Sequence, residues 1–372
     1  MRSTSRWQRM GGGSELRGPN FGEFDHFLWV TMTDEGPRMA SLMLDGIWDT
    51  NIITDERLEL IQPLIGGAAV RTDGIVIDRG EFTQAQTELR LTNDANLPMH
   101  IALTVPRRHH LKPNTGHLEA TVAPNTVEIV DLVFDAQNSL KVDETAPIAI
   151  NYTVTYAPEG HLHPVRMRGV HRVVIDSQYK LIRKGGVTVN GDLSEWGALP
   201  IVPVEPGQVQ TDTDAWYGNG DGSARFGVRY DRDNLYVGVA VLDDANYNHP
   251  RRNYQRQDSL VISLDARPED KRSGAAGTLS IPVIAGKDAA DLGENETLPE
   301  GTRVVSQMTE EGYAVEVAIP MAYIAAQQGE DWETVRVNWT IHDFDPDGNA
   351  RVSWRPVWSS PADYARSGTF TR

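Results

Sequence analysis

The 372-residue chain contains no cysteine. That absence excludes a disulfide framework, a thiol nucleophile and a thiolate metal site, and it leaves the redox compartment unread. Long apolar runs are lacking too. No stretch approaches the ~20 residues that span a bilayer as a helix, so no membrane span is expected. Positive charge is short, with 35 Lys and Arg against 52 Asp and Glu and a formal net charge of −17. Nucleic acid and anionic membranes are repelled by such a field, whereas neutral sugars and divalent cations remain compatible partners. Residues 1–9 (MRSTSRWQR) are basic like the start of a signal peptide. No apolar segment of ~7–15 residues follows them, and no signal is read there.

Apolar residues make up 40% of the chain and charged residues 23%, an ordinary globular balance. The 33 glycines and 21 prolines fall between short β-rich runs, as in an all-β protein with many turns. The length suits two to three domains, and the pattern divides at residues 1–62, 63–184 and 185–372. In the first segment two β-rich runs, 24–31 and 39–44, flank the turn-like Asp34-Glu35-Gly36-Pro37 and read as a hairpin. An isolated hairpin is marginal in water, so this segment reads as the end of something larger. The second segment shows seven short runs (68–78, 86–93, 99–105, 117–122, 126–134, 148–156 and 165–182) punctuated by turn signals, the spacing of an immunoglobulin-like β-sandwich. Alternation is clean where Leu89 and Leu91 oppose Glu88 and Arg90, and where Val127 and Ile129 flank Glu128. The third segment carries eight further strand runs and one short helix at 321–328, entered through Pro320. The spacing therefore predicts a second, larger sandwich.

Five ordered motifs mark that third segment. They are Asn190-Gly191-Asp192-Leu193-Ser194-Glu195-Trp196, then Asp231 through Leu235-Tyr236-Val237 followed by Asp243-Asp244, then Asp258-Ser259 through Asp265, then Gly312-Tyr313 through Glu316 to Ile319-Pro320, and the stretch from Asn338 to Asp347. In order and spacing they resemble the family-nine carbohydrate-binding modules, which implies a DOMON-like β-sandwich. The resemblance further implies a sugar held between two aromatic rings, here Tyr254 before the Asp258-Ser259 strand and Trp358 in the last loop, with Asp258 beside them. The pattern departs where the family's sugar-reading carboxylate falls on Val261 and its basic residue near Leu279–Ser280.

Calcium is a second expectation. Asp343, Asp345 and Asp347 stand at alternate positions, with Gly348 at the bend and Asn349 after it, an arrangement that turns hard oxygens toward one centre. Position 12 of such a loop is Trp354, so it is not an EF-hand, and the expected role is structural.

The first segment has its own resemblance. Gly11-Gly12-Gly13-Ser14, Leu16-Arg17-Gly18, the run from Asp25 to Thr31 and Asp34 are similar to the last two strands of calcineurin-like metallophosphoesterases. That implies a remnant lying downstream of a metal site, with a catalytic domain further upstream. Gly160-His161-Leu162-His163 matches the G-H-x-H motif of the same enzymes, but Pro164 follows at once and a turn is the simpler reading. No nucleophile, histidine and acid set can be assembled. The expected function is a non-catalytic carbohydrate-binding or tethering protein, the C-terminal part of a larger secreted hydrolase, in an extracellular or periplasmic setting. The alternatives are part of a metallophosphoesterase and a purely structural pair of sandwiches.

Overall fold

A computed structural model of the chain describes residues 14–15, 26–43, 46–48, 69–78, 80–108, 110–142, 145, 147–157, 165–183, 187–197, 199, 209–211, 216–293, 296–346, 348–359 and 363–372. Strands dominate, and the all-β reading holds. Two compact units emerge. One comprises Met1–Thr72, Gln86–Val133 and Ala149–His171, the other Asp73–Ala85, Phe134–Ile148 and Arg172–Arg372.

In the first unit the expected hairpin is present. His26–Thr33 pairs antiparallel with Gly36–Met43, and Gly46–Trp48 adds a third strand. Gly11, Gly12, Gly13, Leu16, Arg17 and Gly18, which carry the phosphoesterase resemblance, lie outside the described residues, as do His161 and His163. Strands Met99–Thr104, His117–Val122 and Ile148–Tyr156 pair in one sheet, while Glu81–Asn93 and Thr126–Lys141 belong to another. Leu89 and Leu91 are fully buried, as their alternation requires. Val127 and Ile129 differ, being 52% and 55% exposed. The strand that carries them is buried only at Leu132 and Phe134, its first four residues all being exposed. Strand Leu111–Pro113 was not anticipated, since three residues ending in proline carry no periodic signal. Asn93, fully buried, holds a corner of this unit by donating to the carbonyls of Leu97, Val122 and Ala123 and accepting from the Tyr156 hydroxyl at 3.0 Å.

The second unit holds the larger sandwich. Its strands are β1 (Ser223–Tyr230), β2 (Asn234–Leu242), β3 (Ser259–Asp265), β4 (Leu279–Ile284), β5 (Arg303–Thr309), β6 (Gly312–Pro320), β7 (Thr334–Asp345), β8 (Gly348–Ser353) and β9 (Thr369–Thr371), with helix α1 at Met321–Gln328. One sheet runs Ile182–Arg183, β1, β2, β6, β5; the other runs Tyr179–Lys180, β9, β7, β3, β4, with β8 pairing β7 off that path. Between them lie Leu235, Val237, Val239 and Val241 of β2 against Leu260, Ile262 and Leu264 of β3, all 0–1% exposed. Phe226, Trp339, Trp354 and Phe370 form the aromatic centre, with Phe226 and Trp354 centroids 4.7 Å apart.

Strand β2 is buried on both faces, and the reason lies in the opening motif. Trp196 packs with Tyr236 and Ala318 on the side away from the main core. Its indole N–H donates to Glu316 Oε1 at 2.7 Å, while Glu316 Oε2 accepts the backbone N–H groups of Asn190 at 2.8 Å and Gly191 at 2.7 Å. The Arg229 guanidinium lies 4.8 Å from the Trp196 ring centroid. Two of the ordered motifs are thus halves of one clamp. Glu316, 1% exposed, is a buried carboxylate satisfied by three donors. Replacing it with alanine orphans all three, and the expected loss is about 3 kcal/mol of unfolding free energy, measured by urea denaturation. Gly238 lies under the same ring. A Cβ there would stand 2.5 Å from Trp196 Cε2, so Gly238→Ala is expected to displace the indole.

Candidate functional site

Six aspartates meet at one edge of the second unit. Asp243, Asp258 and Asp343 form one group whose ligand atoms lie within 4.8 Å of one another, and Asp221, Asp244 and Asp345 form another of the same span. They come from four parts of the fold. Asp221 lies in the turn before β1, Asp243 and Asp244 just after β2, Asp258 just before β3, and Asp343 and Asp345 on the end of β7. The local sequence explains the backbone there. Asp258 accepts the N–H of Phe344 at 2.8 Å and that of Tyr247, and Asp221 accepts the N–H of Tyr217.

Asp221, Asp243, Asp258 and Asp343 are 0–5% exposed. Among the described residues, Asp221 Oδ1, Asp243 Oδ2, Asp343 Oδ1 and Asp345 Oδ1 are buried without a hydrogen-bond partner. Burial pushes the Asp258 and Asp343 carboxyls up to about 8, with nearby carboxylates adding to the push. Asp345 rises to about 7 and Asp243 also moves upward, again chiefly through burial. Gathering buried carboxylates without a cationic side chain is costly unless protons or a metal neutralise them. The donor set is all oxygen, which suits a hard cation, and two oxygens on one calcium can stand up to about 5 Å apart, twice the metal–oxygen bond. The residues fit calcium.

The residues expected from the sequence to meet at one metal are divided between the two groups or stand outside them. Asp343 and Asp345 do reach the cluster but join separate groups, each completed by residues about 80 or more positions away in sequence. Asn349 is exposed on β8, paired with Phe344 of β7, and Asp347 lies outside the described residues. Sequence reasoning missed Asp221, Asp243 and Asp244 as members of this cluster, although Asp243-Asp244 follow directly on one of the five motifs.

The sugar residues are separated. Tyr254, half-buried, begins a 3-10 turn at Tyr254–Arg256 and meets His342 edge-on at 5.6 Å and 82°. Burial pushes the His342 imidazole down to about 4, so it supports the ring as a neutral group. Trp358 is 5% exposed, with the Arg336 guanidinium 4.6 Å from its centroid. Arg336 in turn bonds Asp363, the Ser367 carbonyl and the Tyr364 carbonyl. His342 and Arg336 are six residues apart on β7, about 20 Å at strand spacing. Tyr254 and Trp358 do not face each other, and Trp358 is a packed cap over Arg336. Asp258 is fully buried at the acidic cluster, out of reach of a sugar hydroxyl.

Among the described residues, no helix is long and apolar enough to cross a membrane. Residues 203–368 match the family model described as carbohydrate family 9 binding domain-like. No curated protein matches the chain. Among solved structures, a family 9 carbohydrate-binding module from Caldicellulosiruptor kristjanssonii in complex with cellotriose is 16% identical, with a TM-score of 0.38, covering 52% of this chain and 93% of its own. A module of that family from the same organism in complex with glucose is 17% identical, with a TM-score of 0.39, covering 52% and 95%. Residues 203–368 are a carbohydrate family 9 binding domain-like β-sandwich.

Proposed function

We propose that the C-terminal sandwich binds a carbohydrate and tethers the rest of the chain, with any hydrolase it accompanies, to polysaccharide outside the cytoplasm. The family match over residues 203–368 carries this reading. The ligand surface lies at the 254–256 turn beside β3 and β7, where Tyr254 offers a partly open ring. Sugar C–H faces pack on such π surfaces, and neighbouring polar groups fix their orientation. Calcium-type cations belong to the same proposal in a structural role. Asp221, Asp243, Asp244, Asp258, Asp343 and Asp345 would hold them, and neutralising this cluster secures the backbone at Tyr247 and Phe344 through Asp258.

Isothermal titration of the full chain, in calcium, against oligomers of cellulose, xylan, chitin and alginate tests the binding. Heat is expected with at least one of them, weakened roughly tenfold in Tyr254→Ala through loss of the stacking face. No heat with any of the four removes the reading.

A further inference from the structure

Between Asp244 and Asp258 the chain carries no acidic residue but holds Arg251, Arg252 and Arg256, a local reversal within a chain of net charge −17. All three arginines are exposed, and among the described residues none has an ion-pair partner. Their loop is built rather than loose. The Tyr247 N–H bonds the Asp258 carboxylate, and the Asp258 N–H returns to the Tyr247 carbonyl at 3.1 Å, closing the base. Gln257, fully buried, accepts the His249 N–H at 2.9 Å and donates to the carbonyls of Arg252 and Asn253, pinning the interior. The Arg252 guanidinium lies 5.5 Å from the Tyr247 ring centroid, and Tyr254 sits between the arginines in sequence.

We infer that this loop selects a carboxylate-bearing saccharide, a uronate oligomer, over a neutral one. The inference rests on the proposed carbohydrate-binding reading and names its ligand class. Guanidinium forks pair with carboxylates through two parallel N–H bonds, and Tyr254 on the same loop offers a face to the sugar ring. The two strand positions where the resemblance would put a charged reader of hydroxyls hold apolar side chains. Val261 on β3 pairs Pro282 and Thr340, and Leu279 on β4 pairs Leu264, so these positions and their cross-strand partners carry no charge. The chain-wide negative charge does not oppose this selection. The nearest acids are already engaged by the backbone, Asp291 Oδ2 accepting the Tyr254 N–H at 2.7 Å and Asp258 those of Tyr247 and Phe344, and fields from acids further off are screened beyond about 8 Å at physiological ionic strength.

The experiment is titration of the full chain with trigalacturonate and with cellotriose, for the parent and for R251Q/R252Q/R256Q, at low and high salt. The parent is expected to prefer trigalacturonate, with affinity falling at high salt. The triple variant should bind it roughly tenfold more weakly at an unchanged melting temperature, three exposed charge pairs having been lost. Equal binding of the two trisaccharides, or cellotriose alone, overturns the inference while leaving carbohydrate binding intact. Failure to bind either trisaccharide, or any oligomer of the wider panel, removes both. A short single-stranded oligonucleotide that competes as well as trigalacturonate means that the loop reads charge alone, and also overturns it.

Discussion

Millimolar calcium is expected to raise the melting temperature of the second unit by about 5–10 °C at pH 8, and by much less at pH 5. The size follows from binding to the native state alone. A cation at about 100 times its dissociation constant adds about 2.7 kcal/mol, and a unit of ~150–250 residues gains ~2–4 °C per kcal/mol. The sign of the pH dependence follows from Asp258, Asp343 and Asp345, which burial lifts to about 8, 8 and 7. Unfolded, each returns to ~3.9. Without a cation the native state therefore holds more protons than the unfolded one across the window from about pH 4 to 8. Its stability is greatest below that window and is lost as pH rises through the native values. Calcium must displace those protons, so its contribution grows over the same window. Calorimetry in calcium and in EDTA at the two pH values reads this directly, and superimposable melts at pH 8 would remove the cation from the cluster. Asp343→Asn should remove the part of the response that arises at the Asp243, Asp258 and Asp343 group while stabilising the cation-free protein at pH 8, because it deletes one uncompensated buried charge.

Asp176→Ala is expected to cost about 3–5 kcal/mol, a fall of roughly 10 °C. Asp176 is fully buried and accepts Arg355 Nη2 at 2.8 Å and Nε at 3.1 Å, the Tyr364 hydroxyl at 3.0 Å and the Gly368 N–H at 3.0 Å. Its own strand, Ile175–Ser177, runs parallel to Ile75–Ile77. Removing the carboxylate leaves a buried guanidinium unpaired, which is far more costly than never having had the pair. The double variant D176L/R355M should accordingly be more stable than D176A alone. Equal destabilisation of the two would show that the tyrosine and backbone bonds, and not the ion pair, hold this corner.

Much of the larger sandwich was legible in advance because its signals are local. The Asp258-Ser259 to Asp265 motif, the Gly312-Tyr313 to Pro320 motif and the helix at 321–328 each depend on neighbours within ten residues, and each is a single element of the structure. The ligand sites depend on residues distant in sequence. Asp343 and Asp345 stood out by spacing, but the Asp221 and Asp243 that complete their groups enter from other strands, and no spacing rule links them. Trp358 stood out as an aromatic of the last loop, yet Arg336, 22 positions earlier on β7, lies against its ring and turns it into a cap. A chain-wide charge of −17 likewise concealed a loop with three arginines, since a sum cannot register where charge is placed.

The Trp196 clamp has a practical meaning for dissection of the chain. The family match begins at residue 203, but the indole that covers Gly227 and Gly238, the Asn190-Gly191 turn held by Glu316 and the strands at 179–183 all lie before it. A fragment cut at the family boundary would carry an open apolar face on β2 and a buried glutamate stripped of its donors. It should aggregate. A fragment that keeps the clamp must start upstream of residue 187, and one that also keeps Asp176 has to reach back to the pairing with Ile75–Ile77. In folding terms, the smallest autonomous piece is larger than the region that evolution has left recognisable.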